Sequence, residues 1–374
     1  MTESLTTDLS RINDAFVIAY NTALSLKNKD FDLWQIGREL NVRYVLEGSV
    51  QRAGDRVRVI VKLIDAESRT HHWADRFDKS VTNLFDMQDA IVTEVGTALD
   101  AALIDAEARR AEISLHPCAV ELIFQGKSWW NRGTTPENME RAKMYFERAL
   151  AVDQGNIEAL VGLASVDAAM GSNFLDDDVG AHFTAAEERS IEVLSKSPRH
   201  AWAHLCLATV QSFTNRAALA IGECEQALAL NRNLPDAHLV MGLSKLFIGR
   251  GLETEAHIYE ALRLSPRDSK TYRWMFSIGL AKQVLGANDE AIVWFRRCIE
   301  ANRSYASGHF MLAASLVAIG SLEEAKATTR AGLALDPTYT IRRLKRWRIT
   351  DDPTFLATAK RNFEALLVAG VPKE

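Results

Sequence analysis

The sequence predicts a small α+β N-terminal domain followed by an all-α solenoid, and three observations carry that prediction. Six segments end in the same kind of pair: Ala149-Leu150, Val193-Leu194, Ala227-Leu228, Ala261-Leu262, Cys298-Ile299 and Gly332-Leu333. The second residues stand 44, 34, 34, 37 and 34 positions apart, the spacing of a tandem helix pair with loop insertions at the two long steps. The first hundred residues instead alternate apolar and polar side chains with the period of strands. Of 374 residues 47% are apolar and 25% charged, as in ordinary soluble proteins, with room for two or three domains.

Taken in order, Phe16-Val17-Ile18-Ala19-Tyr20 reads as a short buried strand and Leu33 to Leu40 as an amphipathic helix. Tyr44 to Val50 and Val57 to Ile64 alternate with period two, and Ala53-Gly54-Asp55 joins them as a hairpin. A third strand is expected from Thr70 to Phe77, and a long helix from about Leu84 to Ala108. Gly48 falls within a strand, where glycine marks a bulge or close packing.

The repeats begin near residue 116. The unit from Pro235 to Pro266 shows their construction: a first helix through Phe247, a turn at Gly249, and a second helix from about Thr254 to Leu264 carrying Ile258, Ala261 and Leu262. Pro266 then closes the unit, since proline cannot continue a helix. A small residue recurs inside the first helix as Ala164, Ala208, Gly242, Gly279 and Ala313. The turn recurs as Gly171, Asn215, Gly249, Gly286 and Gly320, residues that tolerate left-handed backbone. Second helices open with Ala142, Ala186, Ala220, Ala291 and Ala325, with Thr254 the exception. In the first unit Thr135 is placed to cap a helix that begins at Pro136.

These recurring slots resemble the tetratricopeptide family over residues 116–340. In that family the first helix of each unit lines a concave wall at its second, fifth, ninth and twelfth positions. The resemblance places Trp202, Leu205, Leu239, Leu243, Leu246, Arg273, Phe276, Leu280, Phe310 and Val317 on the wall, with Thr209, Ser212, Asp236, Gln283, Ser307 and Ala314 in the remaining slots. The wall is apolar and lacks a Lys/Arg clamp, which suits an amphipathic helix or an apolar peptide; equally, the chain's own tail could fill it.

Gly37 to Val50, Val57 to Ala66 and His72 to Asp78 resemble the TolB amino-terminal-like (FlgO-type) domain. That domain followed by tetratricopeptide units resembles the C-terminal half of bacterial class III adenylate cyclase-linked proteins. The closing Asp352-Pro353-Thr354-Phe355-Leu356 and Ala369-Gly370-Val371-Pro372 are similar to that group's last helix. There, a buried strand precedes the helix that begins here near Thr2, so the resemblance implies a sheet short of one strand. It brings no catalytic domain, and hence no cyclase activity for this polypeptide. The expected domains are 1–108, a linker 109–115, repeats 116–340, and a basic segment with a capping helix at 341–374.

Motifs that carry chemistry are few. Formal charge −5 disfavours sequence-independent nucleic-acid binding, although residues 341–374 carry eight basic and four acidic side chains. In that tail Arg342 to Arg348 reads as a cap that complements the acidic middle. His71 and His72 fall on opposite faces of a strand and cannot chelate one ion together. Asp176-Asp177-Asp178 lacks the ligand spacing and the glycine of a calcium loop, and is read as a solvated loop. Trp129-Trp130 reads as packing. Cys118, Cys206, Cys224 and Cys298 show no paired spacing, and no phosphate loop or nucleophile elbow occurs. The chain is therefore expected to be a non-catalytic cytoplasmic adaptor without cofactor, metal or membrane span, recognising a protein or peptide in bacterial signalling. The alternative is the regulatory portion of an adenylate cyclase system whose catalytic domain lies elsewhere.

Overall fold

The computed structural model describes residues 5–6, 17–26, 32–80, 84–112, 114, 116–266, 268–346 and 348–374. The chain divides into two compact units, residues 1–128 and 129–374.

In the first unit, helices α1 (Tyr20–Ser25) and α2 (Leu33–Leu40) precede strands β1 (Tyr44–Ala53), β2 (Arg56–Asp65) and β3 (His71–Ser80), followed by helix α3 (Leu84–Ala111). The strands form an antiparallel sheet in the order β1-β2-β3, with Tyr44 opposite Asp65 and Val57 opposite Lys79. Period-two alternation sends Val57, Val59 and Val61 to one face, where they are buried with Phe77, Met87, Ile91 and Val95. Asp32 caps α2 by accepting from the Trp34 amide, and Asn41 ends it in the left-handed region at φ 51°. A Cβ on Gly37 would lie 2.7 Å from that of Ala66, so only glycine lets α2 approach there. Arg43 and the Tyr44 hydroxyl both donate to Glu107, each at 2.8 Å.

Two expectations fail in this unit. Val17–Ala19 form no strand: the amides of Thr22 and Ala23 donate to the Ala19 carbonyl, turning the chain into α1. Phe16 lies outside the described residues. A short apolar run does not by itself distinguish strand from helix. Gly48 marks neither bulge nor close packing, because a Cβ there would meet nothing nearer than the Ile60 carbonyl at 3.6 Å. The irregularity lies instead between Leu63 and Ile64, where β2 shifts register against β3. His72 meets Tyr44 edge-on at 5.7 Å, an aromatic contact. Of the helix expected near Thr2, only Leu5 and Thr6 are described, and both are helical.

Residues 129–374 are built from helix pairs. The first helices are α4 (Ala119–Asn131, which the unit boundary crosses), α6 (Ile157–Ser172), α8 (Ala201–Phe213), α10 (Pro235–Phe247), α12 (Thr271–Val284) and α14 (Ala306–Ala318). The second helices are α5 (Pro136–Val152), α7 (Val179–Lys196), α9 (Ala217–Leu230), α11 (Thr254–Leu264), α13 (Asn288–Ala301) and α15 (Leu322–Leu335). A short helix α16 (Ile341–Leu344) and a longer α17 (Pro353–Ala369) close the chain.

Small residues meet large ones where the pairs close. Ala142, Ala186, Ala220, Ala291 and Ala325 are fully buried, as are Ala164, Ala208 and Ala313. A Cβ on Gly162 or Gly279 would fall 2.5 Å from the ring of Phe146 or Phe295 respectively. The exceptional Thr254 is buried because its hydroxyl donates to the Gly242 carbonyl at 3.0 Å. Thr135 caps α5 as expected, accepting from the Asn138 amide.

Four of the five expected turn residues are left-handed: Asn215 at φ 59°, Gly249 at 80°, Gly286 at 79° and Gly320 at 85°. Gly171 is not. Helix α6 runs through it to Ser172, and Phe174 takes the positive φ of 52°. Gly171 is small because the Phe183 ring approaches to 2.8 Å of its Cβ position. The loop that follows is not merely solvated. His182 bonds Asp167 through Nδ1 and Asp176 through Nε2, both at 2.8 Å, and Arg189 pairs with the buried Asp167. The tryptophans at 129–130 gather cations: Trp129 lies under the guanidinium groups of Arg132 and Arg141, and Lys270 sits over Trp130. Cys206, Cys224 and Cys298 are buried free thiols, while Cys118 is exposed.

Candidate functional site

The first helices of the pairs form the wall on which the predicted site residues lie. Their small residues face the second helices, and of the predicted positions the fifth does so in part, with Phe276 near Phe295 and Phe310 against Gly332. Trp202, Arg273, Phe276, Leu280 and Val317 are partly exposed. The other five sequence-derived residues offer almost no surface: Leu205 is 3% exposed, Leu239 3%, Leu243 6%, and Leu246 and Phe310 0%. Leu239, Leu243 and Leu246 pack with Phe213, Phe247, Ile258, Trp274 and Ile278, and Phe310 stacks on Tyr339 at 3.6 Å. Neighbouring helices enclose these five side chains, Phe310 between Tyr339 and the Gly332 face of α15, so they support the wall rather than line it.

Phe276 belongs to an aromatic cluster, 5.3 Å from Tyr305 and 5.6 Å from Phe295, with Tyr305 in turn 4.9 Å from Tyr272. Burial raises the pKa of the Tyr272 hydroxyl. One turn away, the Arg273 side chain makes no hydrogen bond or close ion pair among the described residues, although its charge acts on Asp236. The nearby Asp236 carboxylate is raised by burial, but the cations of Lys270 and Arg273 more than offset this and its pKa falls below the usual range. Lys270 reaches Asp236 at 3.3 Å. Among the described residues the wall therefore presents apolar and aromatic surface with the Arg273 cation and the Asp236 carboxylate beside it, and no nucleophile paired with a base.

The chain's own C-terminal segment crosses the wall, the second of the two occupants the sequence allowed, and the structure supplies its course. After α15, the basic stretch returns to the loop between α6 and α7, where Arg343 and Arg346 both pair with Asp177, at 3.3 and 3.4 Å. The Asn215 amide then donates to the Ile349 carbonyl at 3.0 Å, and its side chain to Asp351 at 2.7 Å. Thr350 donates to the Phe247 carbonyl at the end of α10, and Phe355 meets the Phe247 ring edge-on at 5.3 Å. Asn362 donates to the Gln283 side chain at 3.2 Å. Farther on, Leu366, Ala369 and Val371 are buried against α14 and Ile341. The Ile341 and Arg342 amides donate to the Pro372 and Lys373 carbonyls at 3.0 and 3.1 Å. The visible local signal was Asp352-Pro353: Asp352 caps α17 through the Phe355 amide at 2.8 Å, with proline in the first turn.

Repeated first and second helices with these small-residue seams are the tetratricopeptide architecture, and the protein is an α+β unit followed by an α-solenoid of that type. Among solved structures, the Cut9–Hcn1 hetero-tetramer of the APC/C is similar over 75% of this chain and 49% of that one, with a TM-score of 0.51 and 17% identity. A thermophilic TPR protein of Thermus thermophilus matches 54% of this chain and all of its own length, with a TM-score of 0.43 and 19% identity. In sequence the chain is 34% identical over 168 residues to a protein named putative adenylate cyclase 3 of Rhizobium meliloti (strain 1021). That stretch is 44% of this chain but 28% of the relative, so the chain spans a minor part of that protein's length. No protein-family profile matches the chain. No described helix is long and apolar enough to cross a membrane, and the described residues hold no cluster of three or more metal-ligating side chains.

Proposed function

We propose that this protein is a non-catalytic interaction scaffold in bacterial signalling that grips a helix or peptide of a protein partner on its first-helix wall. The observation that carries the reading is the set of partly exposed side chains Trp202, Phe276, Leu280 and Val317 with the partly exposed Arg273 beside them. Such a surface favours an apolar segment carrying a nearby carboxylate, since each buried aromatic contact adds apolar area and the cation fixes register. A photo-crosslinking residue at Arg273 or Leu280 should trap a protein partner in cells. Crosslinks arising only from exposed second-helix positions such as Tyr259 would refute wall recognition.

A second reading rests on the cyclase-named relative: the chain is a regulatory portion in cyclic-nucleotide signalling, its N-terminal unit a TolB-like domain, with catalysis supplied by another polypeptide. Adding the purified chain to such a catalytic domain should change cyclic AMP output. Cyclic AMP made from ATP by the chain alone would overturn the non-enzymatic assignment.

A further inference from the structure

We infer that the stretch from Ile349 to Asn362 is a releasable strap, seated where a partner helix of the same chemistry binds in competition with it. The inference rests on the proposed role of the wall and specifies its regulation and its ligand. The C-terminal segment is held in two unlike ways. Its distal part is a core element: Leu366 is 0% exposed, Ala369 and Val371 are each 3%, and the backbone beyond them pairs with α16. The strap is less enclosed: Ile349 and Phe355 pack against the core beneath it but stay partly exposed. Among its residues only Thr350 and Thr358 are buried, and both are polar.

Beside those two apolar contacts the strap is held by a ladder of polar ones, one set for each repeat it crosses: Asn215 in one unit, Phe247 in the next, Gln283 in a third. The Phe247 carbonyl and the Asn215 amide lie at a helix C-terminus and its left-handed turn, where water or another chain can satisfy them equally well, while Gln283 contributes its side chain. Its entering end is moored by Arg346 and Asp177, which are 61% and 69% exposed, and exposed ion pairs of this kind are weak and screened by salt. The strap is thus a loop rooted at α16 and at Leu366 to Val371, with a more loosely held middle, the arrangement that permits local opening without unfolding the helices beneath it. The features that fit it to the seat define the competitor: a peptide helix opened by paired aspartates and proline, with an aromatic on its first turn.

The test is hydrogen–deuterium exchange on the full chain. Amides of Phe355 to Thr358 should exchange at least ~10-fold faster than those of Leu366 to Ala369 and of α12. The double variant R343E/R346E should accelerate the strap ~10-fold further while leaving α12 unchanged. Strap amides exchanging in step with α12 in the wild-type chain would overturn the inference. In a second measurement, a fluorescent peptide of residues 348–364 is titrated against the wild-type chain and against R343E/R346E/F355D, whose own strap is disabled. Binding at least ~10-fold tighter to the variant supports competition for one seat, and equal or absent binding to a variant with wild-type circular dichroism refutes it. These readouts involve no cellular partner, so failure of crosslinking from Arg273 would defeat the proposed function and leave the strap standing.

Discussion

Replacing Gly249 by alanine tests how the strap is registered against the solenoid. Gly249 has φ 80°, and left-handed backbone costs a residue bearing a Cβ roughly 1–2 kcal/mol. Gly286 and Gly320, at 79° and 85°, occupy the same turn in the next two repeats, with nothing within 4 Å of their Cβ positions. The Gly249 Cβ would instead stand 2.8 Å from Oδ2 of Asp352, whose other oxygen caps α17. Gly286→Ala and Gly320→Ala therefore measure the backbone cost alone. Gly249→Ala adds displacement of the cap, worth about 0.5–2 kcal/mol. In a helical unit of this size each kcal/mol lowers the melting temperature by roughly 2–4 °C. The controls should fall by about 2–8 °C and Gly249→Ala by a further few degrees, measured by calorimetry, with faster exchange at Phe355 only in the last. Three equal decrements, with α17 exchange unchanged, would refute the claim that Asp352 is pinned against the turn.

Phe146→Ala should cost about 3–5 kcal/mol in urea denaturation, since the ring is 2% exposed and fills the space that Gly162 leaves open. Burial tends to lower the pKa of His182, but its hydrogen bonds to Asp176 and Asp167 outweigh that, so the folded protein holds the proton above the ordinary value of 6.5. Its contribution to stability is complete below pH 6.5 and lost as pH rises through the folded pKa, and His182→Gln should remove that dependence. The reverse holds for His257, held near about 4 by burial: its contribution is lost as pH falls from 6.5 toward 4, and comparison of His257→Gln with wild type should isolate it. Burial pushes the Cys206 and Cys298 thiols up to about 12, and Cys224 is raised as well, so iodoacetamide on the native protein should modify Cys118 alone by mass spectrometry.

The helix pairs were legible because each is locally determined. A small residue, a left-handed turn and an apolar seam recur within one unit, and any error would have broken the register of six. The hairpin was legible for the same reason, as Gly54 at φ 59° matches its turn. Val17–Ala19 misled because three apolar residues fit either a strand or the approach to a helix. Gly171 misled because the sequence marks a glycine without distinguishing a backbone need from a crowding ring. The wall was half legible. Position within the repeat names the correct helix, but whether Leu246 or Trp202 reaches the surface depends on how closely the next helix stands. That the tail could occupy the wall was legible, but its course was not, since Asn215 meets Asp351 across 136 residues and neither carries a local mark of the other.

That returning segment changes how the array should melt. Tandem repeats touching only their neighbours behave as a one-dimensional chain, fraying from either end with stabilities that nearly add. Here the final helix pair is tied to units three and four by the same strand of polypeptide that follows it. Unravelling the last repeat must therefore also strip contacts from the middle ones. Deleting residues 349–374 should broaden the calorimetric transition, since it removes both the buried anchor on the last repeat and the strap that couples that repeat to the middle ones.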